Sequence, residues 1–156
     1  METKRTHEFM SDDWLRAVRA VFEDRAAKVA SSAGPEPFTV QERYTGDDQG
    51  RGTTGWHCTF ADGQVVDFGR GESPNPDMAS TSPRDVARRL ASTILGDDAD
   101  AIAAYAADQT AHVRRSITCD AGRVQGLAAA LADAHDAIAS FTAPEAAEPA
   151  MRRRPR

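Results

Sequence analysis

A β-hairpin centred on Asp62-Gly63 is the sequence feature that most constrains the fold of this chain. The residues on either side of it, 55–61 and 64–69, are rich in the β-branched and aromatic side chains that strands favour. An Asp-Gly pair tolerates the positive backbone φ angles of a tight type I′ turn. The sequence therefore predicts a two-stranded core to which the other elements attach.

A two-residue loop at this position predicts how the two strands of the hairpin pair. Phe60 is expected opposite Val65, and His57 opposite Phe68. This register places large apolar side chains on both faces of the hairpin. We therefore expect cover on both faces, by helices on one face and by a helix or a ligand on the other.

Length and local composition predict the organisation of the chain. With 156 residues, the chain is long enough for one domain that buries about two thirds of its unfolded surface. We expect a flexible N-terminus at residues 1–10 and a single domain over residues 11–143. Residues 144–156 combine prolines with the run Arg152-Arg153-Arg154, which predicts a disordered tail.

Charge and cysteine content argue against several classes of protein. The chain has 24 acidic and 19 basic side chains and a net charge of −5, which argues against nucleic acid as a partner. Cys58 and Cys119 belong to no CxxC motif or Cys/His cluster, so we expect no metal site and no disulfide framework. No apolar run reaches the roughly 20 residues of a membrane span, and no signal peptide is recognisable. We expect a soluble, cytoplasmic protein.

The segment before the hairpin predicts one helix and one strand. After the N-cap candidate Ser11, apolar residues recur at helical spacing until the chain reaches Gly34. Residues 38–44 then alternate as a strand with an apolar face. Glu42 shares that apolar face, which fits either an edge strand or a polar group that faces a cavity. We favour the edge strand.

The segment after the hairpin completes the fold class. Together with the preceding elements it predicts an α+β fold, with a five-stranded mixed sheet covered by helices and amphipathic helices at both ends. In chain order, we expect a short strand at 77–81, a helix from Pro83 to Gly96 with Ser82 as N-cap, an Ala-rich helix after Asp97 or Asp98, a strand at 112–118 and one long helix at 121–141.

This order of elements resembles the sterol carrier protein 2 (SCP2) family of lipid-binding domains over roughly residues 11–141. The matching features are the N-terminal amphipathic helix, the turn at Asp62-Gly63 followed by Gly69, Pro76-Asp77 before a short strand, the helix from Pro83 to Gly96, the acidic Ala-rich helix, and a strand that ends near Asp120 and leads into the last helix.

The resemblance implies an apolar tunnel between sheet and helices that holds a fatty-acyl, sterol, terpenoid or polyketide-like molecule, without metal or cofactor. The candidate ligand contacts are large apolar residues of the hairpin and of the helices, each of which could equally belong to the protein core. They are Trp56, Phe60, Val66, Phe68, Leu90, Leu127 and Leu131.

Polar residues of the first three strands leave further functions open. His57 with Asp67 or Glu42 could form an acid/base pair, although a strand histidine more often packs on a neighbour such as Phe68. The main hypothesis is binding of a small lipophile. The alternatives are a cofactor-independent cyclase or isomerase of secondary metabolism that uses the same pocket, and a non-enzymatic interaction subunit, with a homodimer as a possible assembly.

Overall fold

The computed structural model describes residues 6–46 and 53–144 of the chain. Residues 1–5 and all but residue 144 of the predicted tail lie outside this part. The elements form an α+β fold, as predicted. In chain order they are α1 (Asp12–Ala33), β1 (Phe38–Thr45), β2 (Thr53–Ala61), β3 (Gln64–Arg70), β4 (Met78–Pro83), α2 (Arg84–Ser92), α3 (Ala99–His112), β5 (Arg114–Ile117), α4 (Ala121–Ala130) and α5 (Ala134–Ala139).

The five strands form one mixed sheet in the order β3-β2-β1-β4-β5. β1 is antiparallel to β2 and parallel to β4, and β5 is antiparallel to β4. The predicted five-stranded mixed sheet is therefore confirmed. The preferred interpretation of Glu42 is wrong, however, because β1 is the central strand and not an edge. An alternating pattern shows which residues share a face, but it does not show where the strand lies in the sheet.

The hairpin contains a β-bulge that the sequence analysis did not predict. Phe60 lies opposite Val65 as expected, but the register shifts immediately afterwards, and Val66 is the extra residue of β3. His57 consequently pairs with Gly69 and not with Phe68. A bulge adds one residue to one strand and so reverses the faces of all residues that follow it.

This shift gives the hairpin one apolar and one polar face, so the expectation of two apolar faces is wrong. The side chains of Trp56, Cys58 and Phe60 are buried on the face that α1 covers, which we call the inner face. His57 and Asp67 lie on the opposite, outer face. Helices are therefore needed on only one side of the hairpin.

The outer face of β1 is covered by the connection between β3 and β4, residues 71–77, which we call the crossover segment. Ser73 N donates to Gln41 Oε1 (2.7 Å), and Thr39 N donates to Asp77 Oδ2 (2.8 Å). These bonds satisfy polar groups at a strand that is central and therefore shielded from water.

The first helix begins as its cap signal predicts. Ser11 Oγ accepts a hydrogen bond from Trp14 N (3.1 Å), and the helix ends before Gly34, which has a φ of 94°. The predicted flexible N-terminus, residues 1–10, includes residues that pack in the structure. Phe9 and Met10 are buried in the core.

The helices after the hairpin differ from the prediction in three respects. Ser82 is not the cap of α2, because it belongs to β4, where it lies opposite Tyr44 and is buried. The helix ends at Ser92 and not at Gly96. The predicted final helix is divided into α4 and α5, and Asp133, within the break, forms an ion pair with Arg25 of α1 (2.8 Å).

Gly126 explains how α4 and α1 pack so closely. A Cβ atom at this position would lie 2.0 Å from the backbone carbonyl oxygen of Ser32. The glycine disfavours the helix by about 1 kcal/mol relative to alanine, but only a residue without a side chain fits here.

Among the described residues, no helix combines the length and apolar character that crossing a membrane requires.

Candidate functional site: a cavity between sheet and helices

A cavity of about 410 Å³ lies between the inner face of the sheet and the helices. All five helices and the strands β1, β2, β4 and β5 contribute to its wall, which is mainly apolar. Its volume falls within the range of about 300–1,000 Å³ that is typical of small-molecule pockets. Large apolar residues of the wall include Trp14, Phe22, Trp56, Leu90, Leu127 and Leu131.

The candidate ligand contacts divide into two groups. Trp56, Leu90, Leu127 and Leu131 line the cavity. The other three do not: Phe60 is a core residue with 2% exposure, Phe68 packs on Trp56 with ring centroids 5.8 Å apart, and Val66 is 57% exposed. The unpredicted bulge explains why Val66 is exposed, because the extra residue of a bulge does not follow the regular alternation of the strand.

A chain of hydrogen bonds crosses the polar part of the cavity wall. Trp56 Nε1 donates to the hydroxyl oxygen of Tyr44 (2.9 Å), and the Tyr44 hydroxyl donates to Glu42 Oε2. Burial is the main cause that raises the pKa of Tyr44 well above its ordinary value, and the nearby Glu42 carboxylate raises it further. Tyr44 therefore keeps its proton at neutral pH and remains a donor.

Burial also raises the pKa of Glu42, while the Tyr44 hydrogen bond and the positive charge of Arg115 act in the opposite direction. The side chain is enclosed by protein, and what remains accessible faces the cavity. A carboxyl group that desolvation perturbs inside a pocket is a candidate functional group. Of the three acid/base candidates, Glu42 is the one that the structure places in the cavity.

Sheet register explains how Glu42 comes to face the cavity. Glu42 lies opposite Trp56 on one side and opposite Ser80 on the other, and Ser80 lies opposite Arg115. All four residues of this cross-strand row line the cavity. The row extends from the buried Trp56 to the exposed Arg115 on the edge strand, so its deep end is apolar and its rim is cationic.

The helices add polar groups that the sequence analysis missed. His135 Nε2 donates to the carbonyl oxygen of Thr93 (2.8 Å), and its ring packs against Tyr105 with centroids 4.8 Å apart. Gln109 Nε2 donates to the Tyr105 hydroxyl (2.9 Å). These residues come from α3 and α5, and no local motif connects them. The helical spacing of Tyr105 and Gln109 was the one available signal.

The candidate acid/base pair of His57 with Asp67 is in contact, but it does not lie at the cavity. His57 Nε2 lies 3.1 Å from Asp67 Oδ2, and its Nδ1 lies 3.0 Å from the carbonyl oxygen of Gly71. Both contacts are on the outer face, where Asp67 is 63% exposed. Glu42 points to the opposite face and cannot pair with His57. An enzyme that acted in the cavity would have to use residues other than His57 and Asp67.

Two observations on the described residues concern possible metal ligands and the buried thiol of Cys58. Residues 6–46 and 53–144 contain no group of three or more His, Cys, Asp or Glu residues that could hold a metal ion. Burial raises the pKa of the Cys58 thiol to about 12. Because the thiolate is the reactive form, Cys58 behaves as a small core residue.

Comparison with protein-family models and with curated proteins finds no match to this chain. Solved structures do match. The conserved hypothetical protein TT1886 from Thermus thermophilus, described as possibly a sterol carrier protein, aligns over 92% of this chain and 99% of its own, with a TM-score of 0.56 and 8% identity. The chain has an SCP2-like fold.

Two further matches are structures whose titles also name SCP2. A crystal structure of sterol carrier protein 2 covers 85% of this chain and 93% of its own, with 11% identity and a TM-score of 0.47. The ubiquinone synthesis protein UbiJ-SCP2 covers 77% and 94%, with 13% identity and a TM-score of 0.46. At such identities the likeness concerns the fold alone.

Proposed function

We propose that this protein binds a small lipophilic molecule, of fatty-acyl, sterol, terpenoid or polyketide-like character, in the cavity between sheet and helices. The observation that carries the proposal is the cavity itself, about 410 Å³ in volume and lined mainly by apolar side chains. The SCP2-like fold supports it, since TT1886 is described as possibly a sterol carrier protein.

The expected affinity follows from the apolar surface that such a molecule buries. Burial of a methylene group contributes about 0.8 kcal/mol, so the methylene groups of a ten-carbon chain such as that of decanol, about nine in number, gain roughly 7 kcal/mol. This corresponds to a Kd of about 10 μM before the cost of ordering the ligand is subtracted. Binding should therefore be detectable with ligands in the micromolar to millimolar range.

Native mass spectrometry of the purified protein, followed by organic extraction, tests the proposal first. We expect a lipophile that copurifies at about one molecule per chain, or an empty protein that takes up decanol when it is added. A stable, empty oligomer that takes up no apolar molecule would contradict the proposal and favour the interaction subunit.

A cavity-filling variant tests whether the ligand occupies this cavity. Ala91 of α2 lines it, so Ala91→Phe places a ring where the ligand would lie. We expect loss of binding with the fold retained, as judged by circular dichroism. The matched control is Ala104→Phe, because Ala104 is an exposed residue of α3 outside the cavity wall. Binding by Ala91→Phe equal to that of the control would place the ligand elsewhere.

A further inference from the structure

Glu42 is a partly buried acid of the cavity wall with an incomplete set of partners. Among the described residues, the Tyr44 hydroxyl is its one hydrogen-bond donor, and it bonds to Oε2. No described Lys, Arg or His forms an ion pair with the carboxyl group. An ionised carboxylate can accept several hydrogen bonds, and the part of Glu42 that remains accessible faces the cavity. Oε1 is therefore open to a donor that enters the cavity.

The hydrogen bonds of neighbouring residues leave Glu42 as an acceptor for a ligand. The Tyr44 hydroxyl proton is engaged by Glu42, and Trp56 donates to the Tyr44 oxygen, which limits rotation of the hydroxyl. Tyr44 consequently has no proton to offer to a ligand. At this point of the wall, the group available to a ligand is therefore the Glu42 carboxylate oxygen, which is a hydrogen-bond acceptor.

We infer that the cavity selects lipophiles whose head group is a hydrogen-bond donor, such as a hydroxyl or an amino group. Glu42 accepts the hydrogen bond from this head group. Carboxylate head groups are disfavoured at this position. This inference rests on the proposed function and specifies the ligand chemistry of the same cavity. A carboxylate next to Glu42 would bring two acidic groups together, so one of them would have to take up a proton.

Arg115 provides the competing possibility, because it would attract an anionic head group. It lies two strands away from Glu42 along the cross-strand row, about 10 Å at the usual strand spacing. It is exposed at the rim, where water screens its charge. Glu42 lies inside the cavity, where charges interact more strongly. The two residues therefore predict opposite head-group preferences.

The test compares decanol, decylamine and decanoate, three probes with the same chain and different head groups. Both tryptophans of the sequence, Trp14 and Trp56, line the cavity, so intrinsic fluorescence reports entry and calorimetry verifies the affinities. Near neutral pH we expect decanol and decylamine to bind the wild-type protein at least about tenfold more tightly than decanoate.

The variant Glu42→Gln separates this contact from general solubility differences between the probes. Glutamine keeps an acceptor for Tyr44 and for decanol, removes the negative charge, and offers an amide donor to a carboxylate. We expect decanoate to bind about tenfold more tightly to Glu42→Gln than to wild type, with decanol changed less than about threefold. Asp67→Asn, which removes the same charge from the outer face, should leave all three affinities unchanged.

The outcomes distinguish the inference from the function on which it rests. If wild type binds decanoate as tightly as decanol, or if Asp67→Asn changes selectivity as much as Glu42→Gln, the head-group inference is overturned while lipophile binding stands. A loss of decanoate binding in Arg115→Gln, together with a wild-type preference for decanoate, would assign the head group to Arg115. If none of the three probes binds, the proposed function fails and the inference with it.

Discussion

The two faces of the sheet each carry an acidic residue with an aromatic-ring partner, yet the two groups differ in chemistry. On the inner face, Glu42 accepts from Tyr44 inside a cavity, and burial raises its pKa. On the outer face, Asp67 contacts His57 and is 63% exposed. Solvent screens the outer pair, so its contact contributes little to stability. The environment of each group, more than its residue type, decides what it can do.

Neighbouring residues of one strand therefore belong to different chemical settings. Trp56 lines the cavity, and His57, the next residue, bonds to the crossover segment. Because strand side chains alternate, a shift of one residue exchanges the two settings. Variants that disturb this separation between the faces should differ widely in their effects.

One-residue deletions should have the largest effect. Deletion of Thr59 from β2 moves the side chains on one side of the deletion to the opposite face of the sheet. Either Trp56 and Cys58 then point outward, or their polar neighbours point into the core. We therefore expect the loss of cooperative urea unfolding. Deletion of Val66 removes only the extra residue of the bulge and keeps every residue on its face. It should unfold cooperatively, with a loss below about 2 kcal/mol. Equal damage from both deletions would contradict the assigned register.

Glycine-to-alanine substitutions compare packing on the two sides of the sheet. Gly126→Ala brings a methyl group against the Ser32 backbone, and we expect a loss of unfolding free energy on the order of 2 kcal/mol despite the better helix propensity. Gly69→Ala on the outer face meets His57 at an ordinary 3.5 Å and should change stability by less than about 1 kcal/mol. A tolerated Gly126→Ala would show that α4 can move away from α1.

The pH dependence of stability should distinguish the two acids. Because the folded-state pKa of Glu42 is raised, the folded state binds its proton more tightly than the unfolded state. The free energy of unfolding therefore falls as pH rises from the ordinary glutamate pKa through the raised value, and this penalty persists at neutral pH. Glu42→Gln should raise the Tm by a few degrees near neutral pH and leave it unchanged at acidic pH.

The matched variant for this comparison is Asp67→Asn on the outer face. It should show no gain in Tm at neutral pH, because Asp67 is largely hydrated in the folded protein. The burial of Glu42 would be contradicted if the Tm of Glu42→Gln followed the wild-type pH profile over the whole range.

The smallest effect is expected for His57→Ala. The variant removes contacts to Asp67 and Gly71 that lie partly in solvent, so we expect a loss of about 1 kcal/mol or less in urea unfolding. Decanol should bind this variant within about twofold of wild type, measured by tryptophan fluorescence. A tenfold loss of affinity would mean that the outer face communicates with the cavity.

The sequence predicted those features that are encoded locally. Ser11 caps α1, Asp62-Gly63 forms the hairpin turn, and alternation identified the strands, because each signal requires only a few adjacent residues. The fold class and the SCP2-like arrangement followed from their order. The bulge was not predicted because Val65 and Val66 are the same residue type, so either residue fits the inner position.

The cavity was less predictable because it depends on long-range pairing. Alternation placed Glu42 among apolar residues, but only the strand order shows that β1 is central. Arg115 joins Glu42 through the register of two other strands, and His135 approaches Tyr105 from a different helix. Residues so far apart in sequence come together only when the whole fold is known.

The mode of attachment of α3 has a consequence for how stability is distributed over the molecule. Every residue of this helix is at least partly exposed. It is held by the ion pair of Arg89 with Asp108 (3.1 Å) and by the ring contact of Tyr105 with His135. Segments that bury little apolar surface unfold locally at low free energy. Amide protons of α3 should therefore exchange with solvent long before those of β1, and the cavity wall that opens most readily is the one that carries Tyr105 and Gln109.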